Sequence, residues 1–171
     1  MRAIGPGSVS SILKTALDVV FWALIAGSAV VALAAVLALF LGSGNVTLSN
    51  DDGAIRDPLV IGGGLALALL ALGGLIVITQ ALRRVFATLT AGEPFQADNI
   101  RRLQLIGFTL AGLELLSYAA RAYAAAVAPS AVDAINYWPN FTAWFAVLVV
   151  FVLAEVFREG ARLRQEADLT I

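Results

Sequence analysis

Glu114 is the residue of this sequence whose type and position best suit it for chemistry. It lies twelve residues after Arg102 in a long apolar stretch, which is about 18 Å along a helix at about 1.5 Å per residue. An ionised carboxylate at that depth of a bilayer costs about 2.5–3.5 kcal/mol or more, so it must be protonated, paired or in a wet cavity. Tyr118 and Arg121 follow on the same helical face. We therefore predict an intramembrane polar site of Glu114, Tyr118 and Arg121, either a structural cluster or a site for a ligand, proton or ion.

Other kinds of chemistry are excluded by composition. The chain has no cysteine and no histidine, which removes disulfides, thiolates, iron–sulfur clusters, zinc fingers and imidazole bases. We recognise no P-loop, catalytic triad or metal cluster, and the glycines at 62–64 lie in an uncharged apolar stretch rather than a phosphate-binding loop. A net charge of −1 argues against direct binding of nucleic acid. We therefore predict a protein that is not an enzyme and that has no cofactor or metal.

Four long apolar runs must position these residues. The chain is 60% hydrophobic and 13% charged, against about 45–50% and about 25% in soluble domains, so we expect a lipid bilayer to surround it. The runs cover about residues 19–41, 59–82, 103–128 and 137–157, and roughly 20 residues suffice to span a bilayer as a helix. The first run exceeds the about 7–15 residues of a signal peptide, so we expect it to be kept. We predict an all-α membrane protein with one domain over residues 1–171 and four transmembrane helices forming two antiparallel hairpins.

Basic residues gather at one side of the predicted membrane. Nine of the eleven lie in the N-terminal segment, the 83–102 connection or the tail at 158–171, whereas the connections at 42–58 and 129–140 together hold only Arg56. Basic residues near the ends of the spans favour the cytoplasmic side. We therefore predict that both termini, the 83–102 loop and the tail are cytoplasmic.

Small residues are concentrated in the second apolar run. Gly62 and Ala66, and likewise Gly64 and Ala68, are four residues apart. Helices in lipid cannot associate by hydrophobicity alone, and small residues let their backbones approach closely. This spacing favours helix contacts within the chain or between the subunits of a homo-oligomer.

The two cytoplasmic segments carry the most distinctive residues. In the loop, Gly92 and Pro94 break a helix, Phe95 can anchor the turn, and Asp98 or Asn99 can cap the next helix. In the tail, helical continuation places four residues on one stripe, apart from the arginines: Val156, Gly160, Leu163 and Ala167. We therefore predict an amphipathic C-terminal extension that lies on the membrane or holds a partner.

These two segments resemble the bacterial membrane-protein family catalogued as domain of unknown function 2975. The resemblance rests on Gly92, Pro94, Phe95, Asn99 and Arg102 in the loop, and on Phe157, Gly160, Leu163, Asp168, Leu169, Thr170 and Ile171 in the tail. It implies four helices in a bacterial cytoplasmic (inner) membrane. It also implies a gene that often lies beside one for a small helix-turn-helix regulator of the Cro/CI type. No catalytic residue comes with it.

Two functional hypotheses follow. The first is a membrane-bound regulator that is not an enzyme and that holds a small helix-turn-helix DNA-binding protein. Its partner-binding residues would be Gly92, Pro94, Phe95, Asn99, Arg102, Phe157, Gly160, Leu163, Leu169 and Ile171. The alternative is a small transporter, channel or lipid-responsive or ligand-responsive membrane protein that uses Glu114, as a homo-oligomer because four helices enclose little space.

Overall fold

The described residues form four long α-helices and one short β-ribbon. The computed structural model describes residues 6–40, 48–50, 53–55, 58–91, 96–127 and 140–168. The helices are α1 (Pro6–Phe40), α2 (Pro58–Thr90), α3 (Ala97–Val127) and α4 (Phe141–Asp168), and the strands are β1 (Leu48–Asn50) and β2 (Gly53–Ile55).

All four helices are long and apolar enough to cross a membrane. The qualifying stretches are Leu13–Ala38, Val60–Thr90, Ala97–Val127 and Phe141–Ala167. This agrees with the predicted all-α fold and its four spans. Large apolar side chains such as Trp22, Val30, Phe108 and Phe145 are exposed on the outside of these helices, as expected for surfaces that face lipid rather than water.

The helices extend well beyond the apolar runs at one end of the molecule. α2 continues to Thr90 and α3 begins at Ala97, so most of the 83–102 connection is helical. Arginine, alanine and leucine are good helix formers, and the sequence has no helix breaker between Arg83 and Gly92. α4 likewise runs to Asp168 without a break. The predicted tail is therefore helical through its described residues.

A small β-ribbon lies in the connection between α1 and α2, where the sequence analysis assigned no regular structure. β1 and β2 pair in an antiparallel register, with Leu48 opposite Ile55 and Asn50 opposite Gly53. Two residues separate the strands, which is the commonest length for a β-hairpin connection.

Each helix packs against the next one in sequence. Contacts join the first half of one helix to the second half of its neighbour: Asp18 meets Arg83 between α1 and α2, and Val60 meets Tyr123 between α2 and α3. Trp144 of α4 meets Tyr118 of α3 in the same way. Neighbouring helices are therefore antiparallel. Because α2 also packs on α3, the helices do not separate into two independent hairpins.

The buried core lies where α2, α3 and α4 converge. Its most buried members are Ala81, Leu103, Ile106 and Ala154. Partly buried apolar side chains surround them, including Leu82 of α2 and Phe157 of α4. This cluster brings the end of α2, the beginning of α3 and the second half of α4 to one end of the molecule.

Candidate functional site

Glu114 lies near the middle of α3, and its side chain is nearly buried. The residue is 8% exposed. Ser117 donates a hydrogen bond of 2.7 Å to the backbone carbonyl of Glu114, and this bond does not involve the Glu114 side chain. The buried atom Oε1 has no hydrogen-bond partner among the described residues. A carboxylate oxygen without a partner is therefore held inside an apolar helix bundle.

Tyr118 and Arg121 contact each other one to two turns further along α3. The Arg121 guanidinium lies 5.5 Å from the centroid of the Tyr118 ring, a distance at which the ring attracts a cation. Arg121 Nη1 is buried and has no hydrogen-bond partner in the described part of the chain. No ion pair between Glu114 and Arg121 is present there. The structure thus brings together two of the three predicted residues, and Glu114 stands apart.

Trp144 is a member of this group that the sequence analysis missed. Its indole Nε1 donates a hydrogen bond of 3.1 Å to the Tyr118 hydroxyl across the α3–α4 interface. α4 is oriented locally by Asn140, whose side chain accepts a bond from the Ala143 amide and so caps the helix. The sequence could have indicated that Trp144 lies in the first turns of α4, because it follows this cap by one turn. It could not have indicated its partner Tyr118, which depends on how α3 and α4 pack.

An apolar cavity of about 420 Å³ lies beside this group, between α2 and α3. Its lining includes Gly64 and Ala68 on α2 and Ser117 and Tyr123 on α3, but not Glu114. The Tyr123 hydroxyl donates a bond of 3.1 Å to the Val60 carbonyl at one end. The cavity therefore offers room for an apolar group, and the Glu114 carboxyl group is not part of its described lining.

Asn99 is the centre of a hydrogen-bond network at the α2–α3 turn. Its side chain is fully buried, and Nδ2 donates a bond of 2.6 Å to Thr88 Oγ1 on α2. Arg102 donates to Asn99 Oδ1 at 3.0 Å and to the Arg84 carbonyl at 3.3 Å. α3 already begins at Ala97, so Asn99 joins the two helices instead of capping α3.

The second half of α4 reaches the same end of the molecule, where Phe157 packs against the buried cluster that contains Leu103. Beyond it, Arg158 pairs with Glu155 at 2.5 Å and Arg162 pairs with Glu159 at 2.8 Å, all within α4. Of the predicted partner-binding residues, Asn99 and Arg102 hold the turn, Phe157 and Gly160 are partly buried, and Leu163 is exposed. Gly92, Pro94, Phe95, Leu169 and Ile171 lie outside the described residues.

Comparison with known families gives one match. The family model described as "Protein of unknown function (DUF2975)" matches residues 45–171. This range contains the β-ribbon, α2, α3 and α4, together with both segments that the sequence analysis singled out. No curated protein matches the chain, and no solved structure matches it.

Proposed function

Because the chain belongs to the DUF2975 family, as its loop and tail residues predicted, we propose that it is a membrane-bound regulator without enzymatic activity. It sits in a bacterial inner membrane as a multi-pass protein and holds a small helix-turn-helix DNA-binding protein at its cytoplasmic end. The gene neighbourhood implied by the resemblance motivates this choice of partner.

The observation that carries the proposal is the packing of the beginning of α3, which follows the loop, against the second half of α4, which leads into the tail. These segments are far apart in sequence, yet Phe157 of α4 packs against the cluster that contains Leu103, one residue after Arg102. The Asn99 network holds the turn against the end of α2. The described ends of the two segments therefore lie close to each other at one end of the helices, as expected if both segments contact the same partner.

An uncovered apolar stripe on α4 supports a docking role for the tail. Val156 is 57% exposed and Leu163 is 55% exposed, and Ala167 on the same face is exposed as well. Arg158 and Arg162 pair with glutamates of α4 itself, so these pairs do not cover the stripe. An amphipathic helix of this kind binds in an apolar groove of a partner or lies at the membrane surface.

Charge distribution supports the cytoplasmic placement of this end. The antiparallel packing puts Arg83 and Arg84 of α2, Arg101 and Arg102 of α3 and Arg158 of α4 at the same end of the helices. Basic residues at the ends of spans are retained in the cytoplasm during insertion. A DNA-binding partner is found in that compartment, so the loop and the tail can reach it.

Co-purification from detergent tests the proposal. We expect a small helix-turn-helix protein of the Cro/CI type to be retained by the wild type. Deletion of residues 158–171 should abolish retention, and Leu163→Asp should reduce it at least tenfold because a buried carboxylate opposes apolar docking. Gln165→Asp is the matched control, since it adds the same charge to another exposed face of α4. Equal retention by the wild type and the deletion variant contradicts the proposal.

A second function, as a transporter, channel or ligand-responsive protein, is favoured by one specific observation. Glu114 Oε1 and Arg121 Nη1 are both buried without hydrogen-bond partners in the described residues. Leaving such groups unpaired costs about 1–3 kcal/mol each, a cost that a bound polar ligand or ion would remove. A pore would require a homo-oligomer, because four helices enclose little space.

Glu114→Gln separates this second function from a structural role. In proteoliposomes, a flux or ligand response that depends on the carboxylate should be lost in Glu114→Gln while the helices melt at an unchanged temperature. The mass of the protein in nanodiscs would show whether it assembles into an oligomer. If the variant preserves folding and every measured response, Glu114 has no functional role.

A further inference from the structure

A cluster of charged residues lies exactly where two of the uncharged helical runs end. Lys14 and Asp18 precede the apolar run of α1, and Arg83 and Arg84 follow the apolar run of α2. Together with Gln80, they line a cavity of about 310 Å³ between the two helices. Because the hydrocarbon core ends at the limits of the apolar runs, this cavity lies at the level of the lipid headgroups.

Arg83 is held in a defined position within the cavity. Its guanidinium lies 2.5 Å from the Asp18 carboxylate on α1 and 4.4 Å from the centroid of the Phe21 ring. The carboxylate and the ring fix the guanidinium from two directions, so little conformational freedom remains to be lost when a further group binds.

The cavity carries an excess of positive charge. Asp18 pairs with Arg83, and it is the one acidic residue among the described residues that line the cavity. Lys14 and Arg84 have no carboxylate partner in the part of the chain that the structure describes, although the tail arginines Arg158 and Arg162 both have one. Lys14 and Arg84 therefore lie beside the Arg83 guanidinium, which Asp18 already orients.

We propose that this cavity binds the phosphate headgroup of an anionic lipid such as phosphatidylglycerol. Lys14 and Arg84 supply the attraction, Arg83 and Gln80 donate hydrogen bonds to phosphate or glycerol oxygens, and Asp18 orients Arg83. A lipid fits better than a soluble phosphate because exposed apolar residues lie on α1 immediately toward the hydrocarbon core, among them Val19, Val20 and Trp22. These side chains can contact the acyl chains of the same molecule.

Native mass spectrometry of the full chain tests the site. The protein is released from nanodiscs of phosphatidylcholine that contain increasing amounts of phosphatidylglycerol, and the retained lipids are counted. We expect Lys14→Gln with Arg84→Gln to bind phosphatidylglycerol roughly 30-fold more weakly, the change expected for two basic residues at a membrane surface. The matched control is Arg101→Gln with Arg164→Gln, which removes two exposed charges that do not line the cavity and should leave binding unchanged.

Two further measurements distinguish the source of the phosphate and guard against misfolding. Lys14→Arg keeps the charge and should retain the lipid, and all variants should keep the helical circular dichroism of the wild type. Glycerol phosphate should not displace the lipid. Equal loss of lipid in both double variants, no loss in either, or displacement by glycerol phosphate would overturn the proposal.

Discussion

Asn99 and Glu114 are both buried polar residues of α3, and they differ in whether their side chains are paired. Asn99 donates to Thr88 and accepts from Arg102, so its burial ties α3 to α2. Glu114 keeps a buried oxygen without a partner among the described residues, so its burial costs stability. A buried group whose cost is not offset by a partner points to a function, which makes Glu114 the functional candidate and Asn99 the structural one.

Replacing Asn99 tests the structural role of the turn network. Asn99→Ala removes the bond to Thr88 and leaves the Arg102 guanidinium without its Asn99 acceptor, so we expect a loss of about 1–3 kcal/mol in the free energy of unfolding. Thermal or denaturant unfolding in detergent, followed by circular dichroism, measures this change. Gln104→Ala, at an exposed position further along α3, should change stability by less than about 0.5 kcal/mol. Equal stability of the two variants would contradict the role of Asn99.

At the scale of the helices, glycines decide where α2, α3 and α4 approach one another. A Cβ atom at Gly63 would meet the Tyr123 hydroxyl, and one at Gly107 would lie 3.0 Å from the Phe151 ring. Gly62 and Gly64, the small residues whose spacing the sequence analysis emphasised, have open space around an added Cβ. Close packing within the chain therefore uses Gly63 and Gly107. Gly62 and Gly64 leave open space beside the helix, and Gly64 lines the cavity between α2 and α3.

Adjacent glycines on α2 provide a matched test of this packing. A Cβ at Gly74 would lie 2.7 Å from Leu113 Cδ2 and 3.0 Å from its Cγ, whereas nothing lies within 4 Å of one at Gly73. We expect Gly74→Ala to destabilise the α2–α3 contact by about 1–3 kcal/mol through overpacking. Gly73→Ala should be neutral or slightly stabilising, because alanine favours a helix more than glycine does. Unfolding in detergent measures both, and a larger effect at Gly73 would refute the observed helix rotation.

For the whole molecule, the proposed orientation follows from the way charge is distributed between its two ends. The turn at Ala91 and the end of α4 lie at the end that holds the Arg83 and Arg102 region, and Asn140 at the start of α4 lies at the opposite end. The proposed cytoplasmic surface and the proposed lipid site both lie at the first of these ends. A single measurement of orientation therefore bears on both proposals.

Cysteine labelling measures this orientation directly, because the chain has no cysteine of its own. In spheroplasts, a membrane-impermeant maleimide should label Asn140→Cys, whereas Ala91→Cys should react only after the membrane is permeabilised. Leu70→Cys is the control for membrane insertion: this side chain is exposed on α2, but lipid should exclude the reagent before and after permeabilisation. Labelling of Ala91→Cys in intact spheroplasts would reverse the predicted topology, and labelling of Leu70→Cys would contradict membrane insertion.

The number of membrane-spanning helices and the family of the chain could both be predicted from the amino-acid sequence alone. Long uncharged runs identify membrane-spanning helices because their hydrophobicity and length are local properties, independent of neighbours. The loop and tail residues predicted the family, which the match over residues 45–171 confirms. The choice of Glu114 as a candidate rests on the same local argument, since an ionised carboxylate inside such a run is costly in lipid.

The contacts between residues of different helices could not be predicted from the sequence and became visible in the folded molecule. The pairing of Asp18 with Arg83, of Trp144 with Tyr118 and of Asn99 with Thr88 joins different helices. Each depends on how far a helix is rotated about its axis and shifted along it. In lipid, hydrophobicity does not select that rotation, because lipid solvates every apolar face of a helix equally well. The rotation is instead determined by close packing of small residues and by a few polar contacts. These contacts form only when the helices pack together, so no pattern along the sequence predicts them.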